Sequence, residues 1–189
     1  MISTLSLWLP ILLSAVFVFI ASSILHMATS WHAGDVRKVP EESSVMNALR
    51  PFALPPGDYA LPRCESMAEM KTPDYNAKLA QGPVMMFTVI PNGPVKMGRS
   101  LALWFLYSLV IALFAAWLCA RMLPAGSAFG WVACNASVIA FLGYAGAQWQ
   151  NSIWWHRSWV TTIKGTLDGL LYGAITGLTL AWLWPTPAA

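Results

Sequence analysis

Four stretches of this chain are apolar over about the length needed to cross a lipid bilayer, and that feature excludes most water-soluble folds. A helix needs about 20 residues to span the hydrocarbon core. Met1–Leu25, Leu101–Ala120 and Ala125–Ala147 contain no charged residue, and Gly165–Trp184 contains one, Asp168. Prolines fall at the boundaries. Pro124 separates the second and third stretches, Pro185 follows the fourth, and Pro10 lies in the first turns of the first. None interrupts the last three, as continuous helices require. The composition agrees, with 57% hydrophobic and only 10% charged residues, against roughly 25% charged in soluble domains. The expected fold is an all-α integral membrane protein, a four-transmembrane-helix bundle forming one domain over residues 1–189. Its helices are expected at about 5–27, 101–121, 126–148 and 164–184, with a long, partly helical cytoplasmic loop over 28–100 between the first two.

The first stretch reads as a retained anchor. A cleaved signal peptide needs a positive n-region, and Met1–Ser6 contains no Lys or Arg. Orientation follows from the cations. Of the 11 Lys and Arg, eight lie between the first and second helices, from Arg37 to Arg99. Arg157 and Lys164 lie between the third and fourth, and Arg121 between the second and third. With both termini outside, the count is ten inside to one outside. Trp8, Trp131, Trp182 and Trp184 then fall near the outer boundary, and Trp31, Trp104, Trp149, Trp154, Trp155 and Trp159 near the inner one. Trp favours both interfaces because its ring is apolar and its N–H needs a polar partner. The expected location is the inner (plasma) membrane, with the lipid bilayer as the first partner. A net charge of +3 without a basic stripe argues against nucleic-acid binding.

The 28–100 segment is too small for a core of its own. Glu41–Arg50 reads as a short helix, with acids in its first turn and Arg50 in its last. Thr72-Pro73-Asp74 reads as an N-cap, a proline at N1 and a first-turn acid, opening a helix to Gln81 that Gly82 terminates. Val84–Ile90 is nearly all apolar but far too short to span. A strand, an interfacial segment and a lining under the bundle all suit it, as does a docking surface for another protein.

The clearest local pattern is Gly165, Gly169, Gly173 and Gly177, continued by Ala181. Residues four apart share a helix face, and a face of small residues lets a neighbouring backbone approach closely. Ser108, Ala112, Ala116 and Ala120 repeat the pattern more weakly in the second helix. Ala133, Ala136, Ala140, Gly143 and Ala147 do so in the third. The second and fourth helices run the same way, so their small faces are expected to pack together, within the chain or in a homo-oligomer or larger assembly.

Little in the sequence carries chemistry. Asp168, an acid inside a span, is the ion-linked candidate. Its bland role is a pair with Lys164 or Arg157 at the helix end. His26, His32 and His156 share no helical metal spacing, so neither metal nor haem is expected. Cys64, Cys119 and Cys134 show no paired spacing, which argues against a disulfide framework or zinc site. Asn135 is expected to hydrogen-bond between helices. Nucleophile-elbow, zincin, Walker and dinucleotide signatures are missing, so no cofactor is expected. These observations favour a non-catalytic accessory or scaffold subunit that binds a membrane-protein partner. The alternatives are a small oligomeric transporter or channel using Asp168, and a membrane enzyme joining Asp168 to a histidine at the inner interface.

Overall fold

The computed structural model describes residues 2–187 and is 66% helical. It divides into two compact units, one built from the chain up to Val36 and from Lys96 onward, the other from Arg37–Val95.

The first unit is a helical bundle. A 3-10 turn, Thr4–Leu7, leads into α1, Trp8–Ser23, which ends in a π-helical turn, Ile24–Ala28. After Lys96 come α4, Met97–Met122, α5, Phe129–Ala145, α6, Gln148–Trp155, and α7, Trp159–Trp182. Among the described residues three helical runs are long and apolar enough to cross a membrane: Thr4–Ala28, Met97–Met122 and Phe129–Trp155. The last of these joins α5 to α6, so the helix expected at 126–148 is broken at Gly146 and Ala147 and extends further than anticipated. α7 has 24 residues, ample length, but five threonines, four glycines, Lys164 and Asp168 lower its hydropathy.

On α4 and α5 most of the buried side chains are small and many of the exposed ones large. On α4 the buried residues are Ser108, Ala112, Ala115, Ala116, Cys119 and Ala120, whereas Leu103, Leu106, Leu113 and Phe114 are exposed. On α5, Val132, Ala136 and Ala140 are buried while Val138 and Leu142 are exposed. That is the reverse of a water-soluble bundle, where large apolar side chains fill the core.

The glycine face of α7 packs against α5, not against α4 as expected. A Cβ on Gly173 would lie 2.8 Å from the Ser137 carbonyl oxygen, and one on Gly177 would meet Ala133 O and Ser137. A Cβ on Gly169 would lie 2.7 Å from that of Ala145. The two helices are antiparallel and touch backbone to backbone, the short α6 segment between them returning the chain alongside α5. Ser108, Ala112 and Ala116 of α4 are buried in the same bundle. At the far end, Trp184 Nε1 donates to Pro124 O at 3.0 Å and Gly126 N to Pro185 O at 2.8 Å, tying the end of α7 to the α4–α5 turn. Asn135 bonds within its own helix, Nδ2 donating to Trp131 O at 2.8 Å, and bridges no helices as expected of it.

The second unit contains α2, Glu42–Leu49, and α3, Pro73–Gln81, with a two-stranded antiparallel sheet of β1, Gly57–Leu61, and β2, Met85–Val89. Thr72 Oγ1 accepts from Tyr75 N, which is the expected N-cap. The short apolar run at 84–90 supplies β2. Tyr59 pairs with Phe87 across the sheet and their rings stack 5.6 Å apart. No residue of this unit is buried.

Candidate functional site

The π-helical turn at Ile24–Ala28 accommodates an extra residue per turn, and such turns recur at functional sites. It ends where Thr29 becomes extended. Thr29 Oγ1 then donates to Leu25 O at 2.6 Å and accepts from Trp31 N at 3.2 Å. Two further turns, Ala33 N to Ser30 O and Asp35 N to His32 O, coil residues 29–35 against α7. Histidines six apart in sequence therefore meet: the rings of His26 and His32 stack 4.1 Å apart with 15° between their planes.

Asp168, the tenth residue of α7 and 6% exposed, faces this turn. Its Oδ1 accepts from Trp31 Nε1 at 3.1 Å. Its Oδ2 lies 2.9 Å from His32 Nε2. That separation is short, but the atoms are not aligned as N–H···O, and the buried Nε2 has no hydrogen-bond partner among the described residues. The other ring nitrogen, His32 Nδ1, donates to Asp35 Oδ2 at 2.7 Å. Lys164 Nζ donates to Asp35 Oδ1 and to Trp31 O, both at 2.7 Å. The expected Lys164–Asp168 pair is thus replaced by Lys164–Asp35, because the folded-back turn brings a second carboxylate closer. The His32 hydrogen bond, with Lys164 behind it, holds the Asp35 carboxyl below its ordinary range.

His26 Nδ1 lies 3.0 Å from Ser22 O. A carbonyl only accepts, so Nδ1 donates and Nε2 is left for another partner. Nitrogen atoms of His26 and His32 and a carboxylate oxygen of Asp168 all lie within 4.8 Å of one another, close enough to hold a metal ion.

A cavity of about 470 Å³ opens beside this cluster. One wall is polar, with His26, His32, Asp168 and Gln148; another is aromatic, with Trp104, Tyr107, Tyr144 and Tyr172. The aromatic rings brace one another, Tyr144 lying 5.5 Å from Tyr172 and 6.0 Å from Trp104. Trp104 is pinned to α1 by Nε1 donating to Ser22 Oγ at 2.8 Å. Gln148 donates to Tyr144 O at 2.8 Å and its carboxamide lies where a Cβ on Gly165 would be. Gly165 therefore serves the cavity wall, Gly169 both lines the cavity and meets Ala145, and Gly173 and Gly177 serve helix packing.

Two carboxylates, Asp35 and Asp168, share this cluster with one ammonium, Lys164. With both carboxylates ionised one negative charge remains, to be met by a proton within the cluster or by an external cation, since an uncompensated buried charge is costly. His156 and Arg157 stand apart. His156 is exposed and ends α6 in the left-handed region, with φ of 53°. Arg157 makes no ion pair among the described residues. Sequence spacing singled out Asp168, set aside His26 and His32 and missed Asp35, because its metal templates assume a regular helix. The available signal was three titratable residues within ten positions of the end of an apolar stretch.

Comparison of the chain with protein families, with curated proteins and with solved structures gives no match.

Proposed function

We propose that this protein is a four-span integral membrane protein that works by binding a small ligand in the pocket beside Asp168, at the cytoplasmic end of the bundle. The fourth span is α7, and the termini lie outside, as the ten-to-one distribution of cations favours. The inverted bundle supports insertion, since large apolar side chains form its outer surface.

The observation that carries the reading is Asp168 itself. A buried acid on α7 leaves the neighbouring lysine to another carboxylate and lines an open cavity. An accessory subunit needs no such cavity, and an acid kept only to lock a helix end would take Lys164. The accessory reading also relied on small-residue faces free to meet a partner. Those of Gly169, Gly173 and Gly177 are occupied by α5. A pore is less favoured than a site, because Leu7, Val18, Val132 and Leu180 are fully buried in the bundle core. A cavity of 470 Å³ suits a small molecule, and its walls suit one with a polar end and an apolar body. The imidazoles and carboxylates suit proton transfer to or from such a ligand.

Ala147 lines the cavity and is exposed. With Cys64, Cys119 and Cys134 replaced by Ala, an Ala147→Cys protein is treated with a charged, impermeant thiol reagent. Labelling is expected in inverted vesicles and not in right-side-out ones. Labelling in neither, or from outside only, overturns the reading.

A further inference from the structure

We infer that the pocket holds a divalent first-row transition-metal ion, bound by His26 Nε2, His32 Nε2 and Asp168 Oδ2. The inference deepens the proposed ligand-binding role and rests on it. Each of the three side chains has its other polar atom already fixed. His26 Nδ1 is held by Ser22 O at 3.0 Å, His32 Nδ1 by Asp35 at 2.7 Å, and Asp168 Oδ1 by Trp31 Nε1 at 3.1 Å. That is the outer shell of a metal site, in which a histidine gives its second N–H to a carboxylate or carbonyl and turns its lone pair to the ion. That leaves His26 Nε2, His32 Nε2 and Asp168 Oδ2 for an ion, and a nitrogen of each ring lies within 4.8 Å of the other and of a carboxylate oxygen of Asp168.

The orphaned nitrogen decides between an ion and a proton. Were His32 simply an imidazolium between two acids, its Nε2–H would point at Asp168. Instead Nε2 is buried, close to the carboxylate and without an aligned acceptor. Two lone pairs 2.9 Å apart repel unless a cation lies between them. Atoms bound to one ion at about 2.0–2.2 Å are themselves roughly 3.0–3.5 Å apart, so His32 and Asp168 already stand near that spacing. The stacked rings do not share a plane, so closing the third bond requires the His26 ring to turn. Its exposure and its place on the π-helical turn allow this.

Two imidazoles and a carboxylate select a transition ion over magnesium or calcium, which prefer all-oxygen sites. Three protein ligands leave further positions open toward the cavity, where the ion can polarise a ligand or activate water. The ion also supplies the positive charge that Asp35, Asp168 and Lys164 leave uncompensated.

The full-length protein, purified in detergent and stripped with EDTA, is titrated with Co²⁺ and followed by visible ligand-field absorption. One Co²⁺ per chain is expected, displaced by Zn²⁺. His26→Gln and His32→Gln should each weaken binding at least about tenfold, and Asp35→Asn, one shell out, by about 10–100-fold. His156→Gln should change nothing. His26 is exposed, so its variant keeps the fold, which circular dichroism checks. A folded parent that binds no Co²⁺ saturably overturns the metal, as does affinity unchanged in both histidine variants or lost in His156→Gln. Labelling at Ala147 without Co²⁺ binding overturns the metal and leaves the pocket standing; failure of both overturns both.

Discussion

At the scale of single residues, the cluster turns on which groups lose a partner when one is removed. Trp31→Phe keeps the ring but deletes the N–H that Asp168 Oδ1 accepts. An acceptor left buried and unpaired costs about 1–3 kcal/mol, so a thermal melt in detergent should show a clear loss. Lys164→Met should also lower the melting midpoint, because it removes donors to both Asp35 and Trp31 O in a mostly buried setting. Lys78→Met is the control. Lys78 pairs with Asp74 at 2.7 Å on an open helix face, both side chains well exposed, and screened pairs of that kind add little. Equal losses from the two lysine variants would mean that the Lys164–Asp35 pair is as screened as a surface one. Asp168 was legible in the sequence because a lone charge in an apolar run needs a reason. Its partners were not, because His32 and Asp35 reach it through a reversal of the chain that no helical spacing encodes.

At the scale of elements, the period-four glycines marked one face of α7 but not the helix against which Gly169, Gly173 and Gly177 lie. α5 offers Ala133, Ser137, Phe141 and Ala145 to that face, and Phe141 breaks the run of small residues that would have marked it. The α5–α6 break was equally hidden, since Gly146 and Ala147 look like ordinary members of an apolar helix. The close approach gives a graded prediction. Gly173→Ala and Gly177→Ala bring a Cβ against α5 backbone, which cannot yield without moving the helix, and overpacking of this sort costs typically about 1–3 kcal/mol. Gly130→Ala, with nothing within 4 Å, should be neutral or slightly stabilising, since Ala favours the helix. Chemical denaturation of the three variants in one detergent ranks them; a neutral Gly177→Ala would show that α5 and α7 do not touch there. In the second unit, by contrast, the α3 cap and helix were readable from Thr72-Pro73-Asp74, because capping is a local matter of side chain and backbone.

At the scale of the whole molecule, orientation is the property most open to direct test. Cys64 should resist an impermeant thiol reagent in intact cells and react, if it is accessible, only after lysis, and a tag on the C-terminus should report the outer side. An inward C-terminus would reverse the assignment and place the Asp168 pocket outside. Composition and apolar length conveyed a mostly helical chain with helices long and apolar enough to cross a membrane, since both are read directly from the residues. The site was not conveyed, since it depends on which helix ends meet. Its residues come from the ends of the sequence: His26, His32 and Asp35 emerge early in synthesis, and Lys164 and Asp168 only with α7. A ribosome that stops after α6 releases a chain with three apolar runs but half a site. Its Asp35 and His32 lack their counterparts and its α5 lacks its packing partner. The pocket thus doubles as a test of completeness, and quality control that senses exposed α5 backbone would clear the shortened chain while sparing the finished one. Expression of residues 1–158 should give a rapidly degraded product, and co-expression of α7 as a separate segment should slow that degradation.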